Sequence, residues 1–134
     1  MAIVDNYLEI PGLAAGEDMS AKQYRGVKMH TTAFQVVGLT DANAEQPIGI
    51  LQNDPTSGEA ATVAFCGVCK AECGGIIAVG ASVAFNNSGD VISDVEVKDG
   101  TAVDLHHIGY ALEAGVDTQV IKIILRPPVR IGLE

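Results

Sequence analysis

Three cysteines crowd into eight residues, Cys66-Gly-Val-Cys69-Lys-Ala-Glu-Cys73, and Gly74-Gly75 follow at once. Thiolates so spaced suit two kinds of chemistry: holding a zinc ion, or passing electrons through a CxxC pair. Zinc needs about four ligands converging at ~2.1–2.3 Å, and the histidines that would complete the set are His30, His106 and His107. The residues ahead, Ala61-Thr62-Val63-Ala64-Phe65, read as a strand that continues through Cys66, Gly67 and Val68. Side chains on a strand alternate faces. Cys66 and Cys69 then point apart, and Cys69 and Cys73 share a face at roughly 13 Å separation, from ~3.3 Å per residue. A bulge at Gly67 would bring the first pair together. A redox CxxC sits at the start of a helix, whose dipole lowers the thiol pKa, and residues 70–75 offer no helix. The expected role is therefore that of small buried hydrophobes. The alternative is a metal-binding β-domain built on Cys66, Cys69 and Cys73 with a histidine.

Other chemistry is thinner. Asp104, His106 and His107 have the residue types of an acid–base group, but no nucleophile or oxyanion-binding feature accompanies them. GxSxG, a Walker loop and a dinucleotide fingerprint are all missing. Tyr7, Tyr24 and Tyr110 suit cores and interfaces. No catalytic residue, metal or cofactor is expected, and the chain is read as a non-enzyme.

Charge narrows the partners. Eight basic residues against 17 acidic ones leave a net charge of −9. That sign repels phosphate backbones and anionic membranes, so neither nucleic acid nor membrane is an expected partner. The opening MAIVDNYLEI has no basic stretch before its apolar residues, as a secretory signal would. An odd number of cysteines fits a disulfide framework poorly. The expectation is a soluble protein made in a reducing cytoplasm.

The elements that must position these residues are strands. Short bursts of β-branched residues, bounded by Gly, Pro and Asn, predict an all-β small barrel or sandwich. Strands are expected at 24–29, 32–39, 47–51, 61–71, 82–85, 91–97, 105–112 and 119–125. Turns are expected at 86–90 and 98–101, where Asn and Gly tolerate positive φ. The one helical candidate is a short turn within 16–24, capped by Asp18 or Ser20. The domain is expected to span 16–126, with an extended N-terminal arm over 1–15 and a Pro-rich C-terminal tail over 127–134.

An internal echo adds a second level of order. Ile48-Gly49-Ile50-Leu51 leads through a polar loop into Thr62-Val63-Ala64-Phe65, and sixty positions on Ile108-Gly109-Tyr110 leads into Lys122-Ile123-Ile124-Leu125. Each copy reads as strand, loop, strand. The glycine after each leading isoleucine weakens a strand, so it marks a bulge or a close backbone approach. Two such hairpins would stand as neighbouring walls.

Taken in order, the phrases AAGEDMSAKQYRGVKM, PIGILQNDPTSGEAATVAFCGVCK, GGIIAVGASV and IGYALEAGVDTQVIKIIL resemble the small β-rich capsid decoration, or cement, proteins of tailed bacteriophages. The resemblance runs over about residues 10 to 126. It implies a homo-oligomer, commonly a trimer, made in the host cytoplasm and bound to the major capsid protein on the outer surface of the virion. It also implies that an N-terminal segment contacts the capsid, here Tyr7, Leu8, Ile10 and Leu13. The cysteines depart from the family pattern, in which Val or Ala is expected.

Overall fold

The computed structural model describes residues 6–41, 44–93 and 105–131. They form ten strands in chain order: β1 (Asn6–Glu9), β2 (Ala14–Ala15), β3 (Gly26–Met29), β4 (Gln35–Gly38), β5 (Pro47–Leu51), β6 (Val63–Glu72), β7 (Ser82–Phe85), β8 (Val91–Ser93), β9 (Leu105–Ala111) and β10 (Val120–Ile131). The fold is all-β, as the sequence predicts. All ten strands belong to one sheet, ordered β2-β4-β3-β5-β6-β10-β9-β7-β8, with β1 added on β6. The named strands do not close into a barrel. Single bridges instead curl each half on itself, Ala14 to Ala60 in one and Cys73 to Val91 in the other.

The echo in the sequence is a duplication in the fold. In the first half Ile50 pairs with Ala64 and Leu51 with Val63, and in the second Tyr110 pairs with Ile124 and Ala111 with Ile123. Val27 pairs with Gly49, and a register shift follows before Lys28 pairs with Pro47. Val83 pairs with Gly109, and the same shift follows before Ala84 pairs with His107. Loops obey the correspondence too. Ala15 N donates to Glu59 O and Gly58 N to Ala15 O, while Cys73 N donates to Gln119 O and Thr118 N to Cys73 O. Met19 N reaches Pro55 O as Ile77 N reaches Gly115 O.

The two glycines explain why the echo retains them. A Cβ on Gly49 would stand 2.1 Å from Ala64 O, and one on Gly109 would stand 1.8 Å from Ile124 O. No side chain fits against a carbonyl at that range. Both are close approaches of hairpin backbone, of the kind that glycine permits.

The cores follow the same plan. The first half encloses Leu13, Ala15, Met19, Val27, Val36, Leu51, Ala61 and Val63. Their counterparts, in order, are Ala71, Cys73, Ile77, Val83, Val91, Ala111, Ile121 and Ile123, all in the second core. That second core also takes in Leu39, Ile50 and Ala64 from the first half, together with Phe85, Ile108 and Leu125. The halves are therefore joined by a packed seam. The ring of Phe85 lies 2.6 Å from where a Cβ on Gly26 would stand, so only glycine admits it there.

Several expectations need adjustment. No helix forms among the described residues. The 16–24 segment is a run of turns, because Met19 is buried and its N–H is committed to Pro55 O instead of a helical carbonyl. The strand expected over 32–39 is confined to β4. The C-terminal strand outlasts its expected end at 125 and stays in the sheet to Ile131. Pro127 and Pro128 fall where the β9–β10 register shifts between Leu125 and Val129, so their missing N–H groups interrupt no regular ladder. Residues 94–97 of the expected 91–97 strand, the 98–101 turn and Asp104 lie outside the described residues.

Candidate interaction surfaces

All three cysteines lie on or beside β6 and are free thiols. Burial alternates from Val68 to Cys73, placing Cys69 and Cys73 in the core, while Cys66 is half-buried and opposite Leu8 of β1. Gly67 between them has φ +110, and a Cβ there would meet Asn6 O at 2.4 Å. The irregularity foreseen at Gly67 thus serves the close passage of β1. Burial pushes the Cys73 thiol up to about 11, and the carboxylates of Asp90, Glu72 and Asp117 push the same way. A thiol held protonated at neutral pH is a poor ligand and a poor nucleophile. Cys73 occupies the position that Ala15 holds in the first half, which accounts for a small apolar residue there. Among the described residues no group of three or more His, Cys, Asp or Glu side chains is placed to hold a metal.

His107 is buried, with Nδ1 2.5 Å from Ser82 Oγ and its ring edge-on to Tyr110 at 5.2 Å between centroids. Of the acid–base group suggested by sequence, His107 is the one member whose side chain is described. Its described neighbours tie β7 to β9.

The four residues that the resemblance points to have different fates. Asn6–Glu9 pair with β6, with a bulge between Leu8 and Glu9. Tyr7 packs on the larger core and Ile10 on the first-half core, Ile10 N donating to Val63 O. Leu13 is buried, whereas Leu8 is 61% exposed. Leu8 is the one of the four whose side chain is exposed.

Sequence reasoning misses the larger apolar surface. Of the eight large hydrophobic residues exposed among the described ones, six lie in the second half: Ile76, Val79, Tyr110, Val116, Val120 and Ile124. Ile76, Val79 and Val116 sit on two loops held together by the Ile77–Gly115 bridge. Tyr110 and Ile124 are cross-strand partners on the sheet face. The pattern of residue burial over 51–60 recurs position for position at 111–120, so the comparison of exposed positions is direct. Asp18, Asp54, Thr56 and Glu59 in the first half become Ile76, Ala114, Val116 and Gln119 in the second. The signal was present in the echo, but only the pairing supplies the alignment, because the offset between halves changes across loops.

Charged groups fasten the halves as well. Arg25 on the first half contacts Glu72 at 3.1 Å and Asp90 at 3.2 Å on the second. Beside it Glu72 N donates to Tyr24 O and Gly26 N to Gly89 O. Burial raises the Asp90 pKa, with Arg25 opposing it and Glu72 adding to it. On the first half, Lys28 pairs with Glu45, whose oxygens also accept from Thr40 N, Thr40 Oγ1 and Asp41 N. Burial acts to raise the Glu45 pKa, but these hydrogen bonds and the Lys28 cation outweigh it and hold the carboxyl at about 2.

The exposed apolar side chains found here stand on paired strands and on bridged loops. The chain is similar to the solved head fiber gp8.5 N base of bacteriophage phi29, with a TM-score of 0.63 and 15% identity over 96% of this chain and 99% of that one. At that identity the likeness speaks for the fold. No protein of curated function matches the chain. A family model described as phage cement protein matches residues 18–126, which covers most of both halves of the duplication, and the chain belongs to that family.

Proposed function

We propose that the protein is a structural component of the virion that binds the outer surface of an assembled phage head and stabilises the contacts between capsomers. The observation that carries this reading is the family match across 18–126. Its partner is the major capsid protein, and it acts as a homo-oligomer, a trimer, without catalysis. The fold suits the task physically. Two curled half-sheets sharing a seam present contact residues from fixed backbone, so little conformational entropy is lost on docking. Weak contacts repeated across a symmetric shell add by avidity.

β1 is the capsid-contacting segment in this reading, through Leu8. Tyr7, Ile10 and Leu13 hold it in place on the domain. Removing residues 1–13 would take Leu13 out of the core, so a point change is the cleaner probe. Leu8→Asp is expected to leave the unfolding midpoint unchanged and to weaken binding to purified heads about tenfold or more, measured by co-sedimentation. Imaging heads with and without bound protein locates it. Heads that gain no resistance to heat when saturated with protein would remove the stabilising role.

A further inference from the structure

The seam between the halves is asymmetric. One side is the row Gly26–Ile50–Ala64, running across β3, β5 and β6. It is buried, and Phe85, Ile108 and Leu125 of the second half share its core cluster. The matching row in the second half is Ser82–Tyr110–Ile124, across β7, β9 and β10. There Tyr110 is 46% and Ile124 43% exposed. The positions that match Phe85, Ile108 and Leu125 are Met29, Ile48 and Phe65, and each is half-buried. One chain thus uses its repeating contact once: at one end Tyr110 and Ile124 stay exposed, and at the other Met29, Ile48 and Phe65 stay half-buried, Met29 and Ile48 resting on the first-half core.

We propose that Ser82, Tyr110 and Ile124 receive Met29, Ile48 and Phe65 of a second copy of this chain, head to tail, as a continuation of the contact that already joins the two halves. This rests on the reading of the protein as a homo-oligomer and names the surfaces it uses. The occupant follows from the internal precedent: the same backbone frame already accepts the same kind of surface within one molecule. A head-to-tail interface is heterologous, so it closes into a ring when the rotation per copy divides a full turn. The open row is apolar at Tyr110 and Ile124 and rimmed by Arg126, whose guanidinium lies 6.0 Å from the Tyr110 ring centroid.

Sedimentation velocity of the full chain over a concentration series reads self-association directly. Ile124→Glu and Tyr110→Ser are both expected to raise the dissociation constant about tenfold or more with the unfolding midpoint retained. A photocrosslinking amino acid placed at position 110 is expected to join a second copy near Met29, Ile48 or Phe65, mapped by mass spectrometry. A wild-type chain that stays monomeric throughout overturns the proposal, as does association untouched by either variant. Crosslinks from position 110 to the 110–124 region of the neighbour would replace it with a two-fold contact. Variants that keep their assembly but lose binding to heads would assign this face to the capsid instead. Normal self-association by a wild-type chain that ignores heads would refute the decoration role and leave this interface standing.

Discussion

Ile50 with Ala64, and Tyr110 with Ile124, are the same pair of positions on the same hairpin, yet the first pair is sealed and the second faces outward. Nothing in the local backbone accounts for the contrast, since both hairpins share register, glycine approach and loop bonding. What differs is the neighbour. The second half lies over the first, and among the described residues no third copy lies over the second. Side chains follow suit: the sealed pair is small and aliphatic, whereas the open pair is larger and carries a phenol. The loops repeat the lesson, acidic at Asp18, Asp54 and Glu59 and mostly apolar at Ile76, Ala114 and Val116. A duplicated frame lets the outer row of one copy be buried while the matching row of the other stays exposed and apolar.

The sharpest way to break this comparison is at the glycines. Gly49→Ala and Gly109→Ala should each cost at least about 4 kcal/mol, close to the whole stability of many domains, because each Cβ would collide with a carbonyl. Gly58→Ala and Gly80→Ala have positive φ but open space around them, so about 1 kcal/mol is expected. Urea unfolding of the four variants decides it. A mild effect at one of the paired glycines and a severe one at the other would dissolve the equivalence of the hairpins.

The seam between the halves is tested next by Arg25→Ala. It strands Glu72 and Asp90 as a carboxylate pair without their cation, and a loss of about 2 kcal/mol is expected at pH 7. Asp90 already has a raised pKa, so protonation relieves the stranded pair. The variant's deficit relative to wild type should therefore shrink between pH 7 and pH 4. A deficit that holds constant across that range would show that packing of the Arg25 stem, and not its charge, joins the halves.

The smallest effect concerns a device found in the first half only. Lys28 and Glu45 have Ala84 and Leu105 as their counterparts in the second. Glu45 has a folded pKa near 2 against an ordinary 4.5. A depressed carboxyl stabilises the fold above its unfolded pKa, and that contribution fades as pH falls from 4.5 towards 2. About 1–2 kcal/mol should be lost over that window, discounted for partial solvent contact. Lys28→Met should flatten this part of the stability–pH curve. If the wild-type curve is already flat there, the clamp contributes nothing to the fold.

Much of this was legible from residue types. Bursts of β-branched residues located most strands because they suit a pleated, half-buried surface. The two isoleucine–glycine pairs announced their close approaches, since little else keeps glycine inside a strand. Cysteines on a strand were expected to fill space, and Cys73 takes the same core position as Ala15. Other features were hidden. β6 serves both halves, ending one hairpin and opening the next repeat, and no local pattern marks such sharing. β10 passes through two prolines, which read as a stop but are tolerated at an irregular stretch of pairing. Leu13 read as part of an arm, and distant contact with Ala61 made it core instead: Ala61 N donates to Leu13 O.

Alternation of side chains along each strand is a local property of extended backbone, so the amino-acid order was enough to determine that this chain forms strands, where most of them lie and which glycines admit a carbonyl. Which face of a strand is covered depends on what arrives from far away in the chain, and alternation is the same whether a face meets water or another half-sheet. Only the tertiary structure decided that Ile50 and Ala64 lie inside a seam while Tyr110 and Ile124 stay exposed.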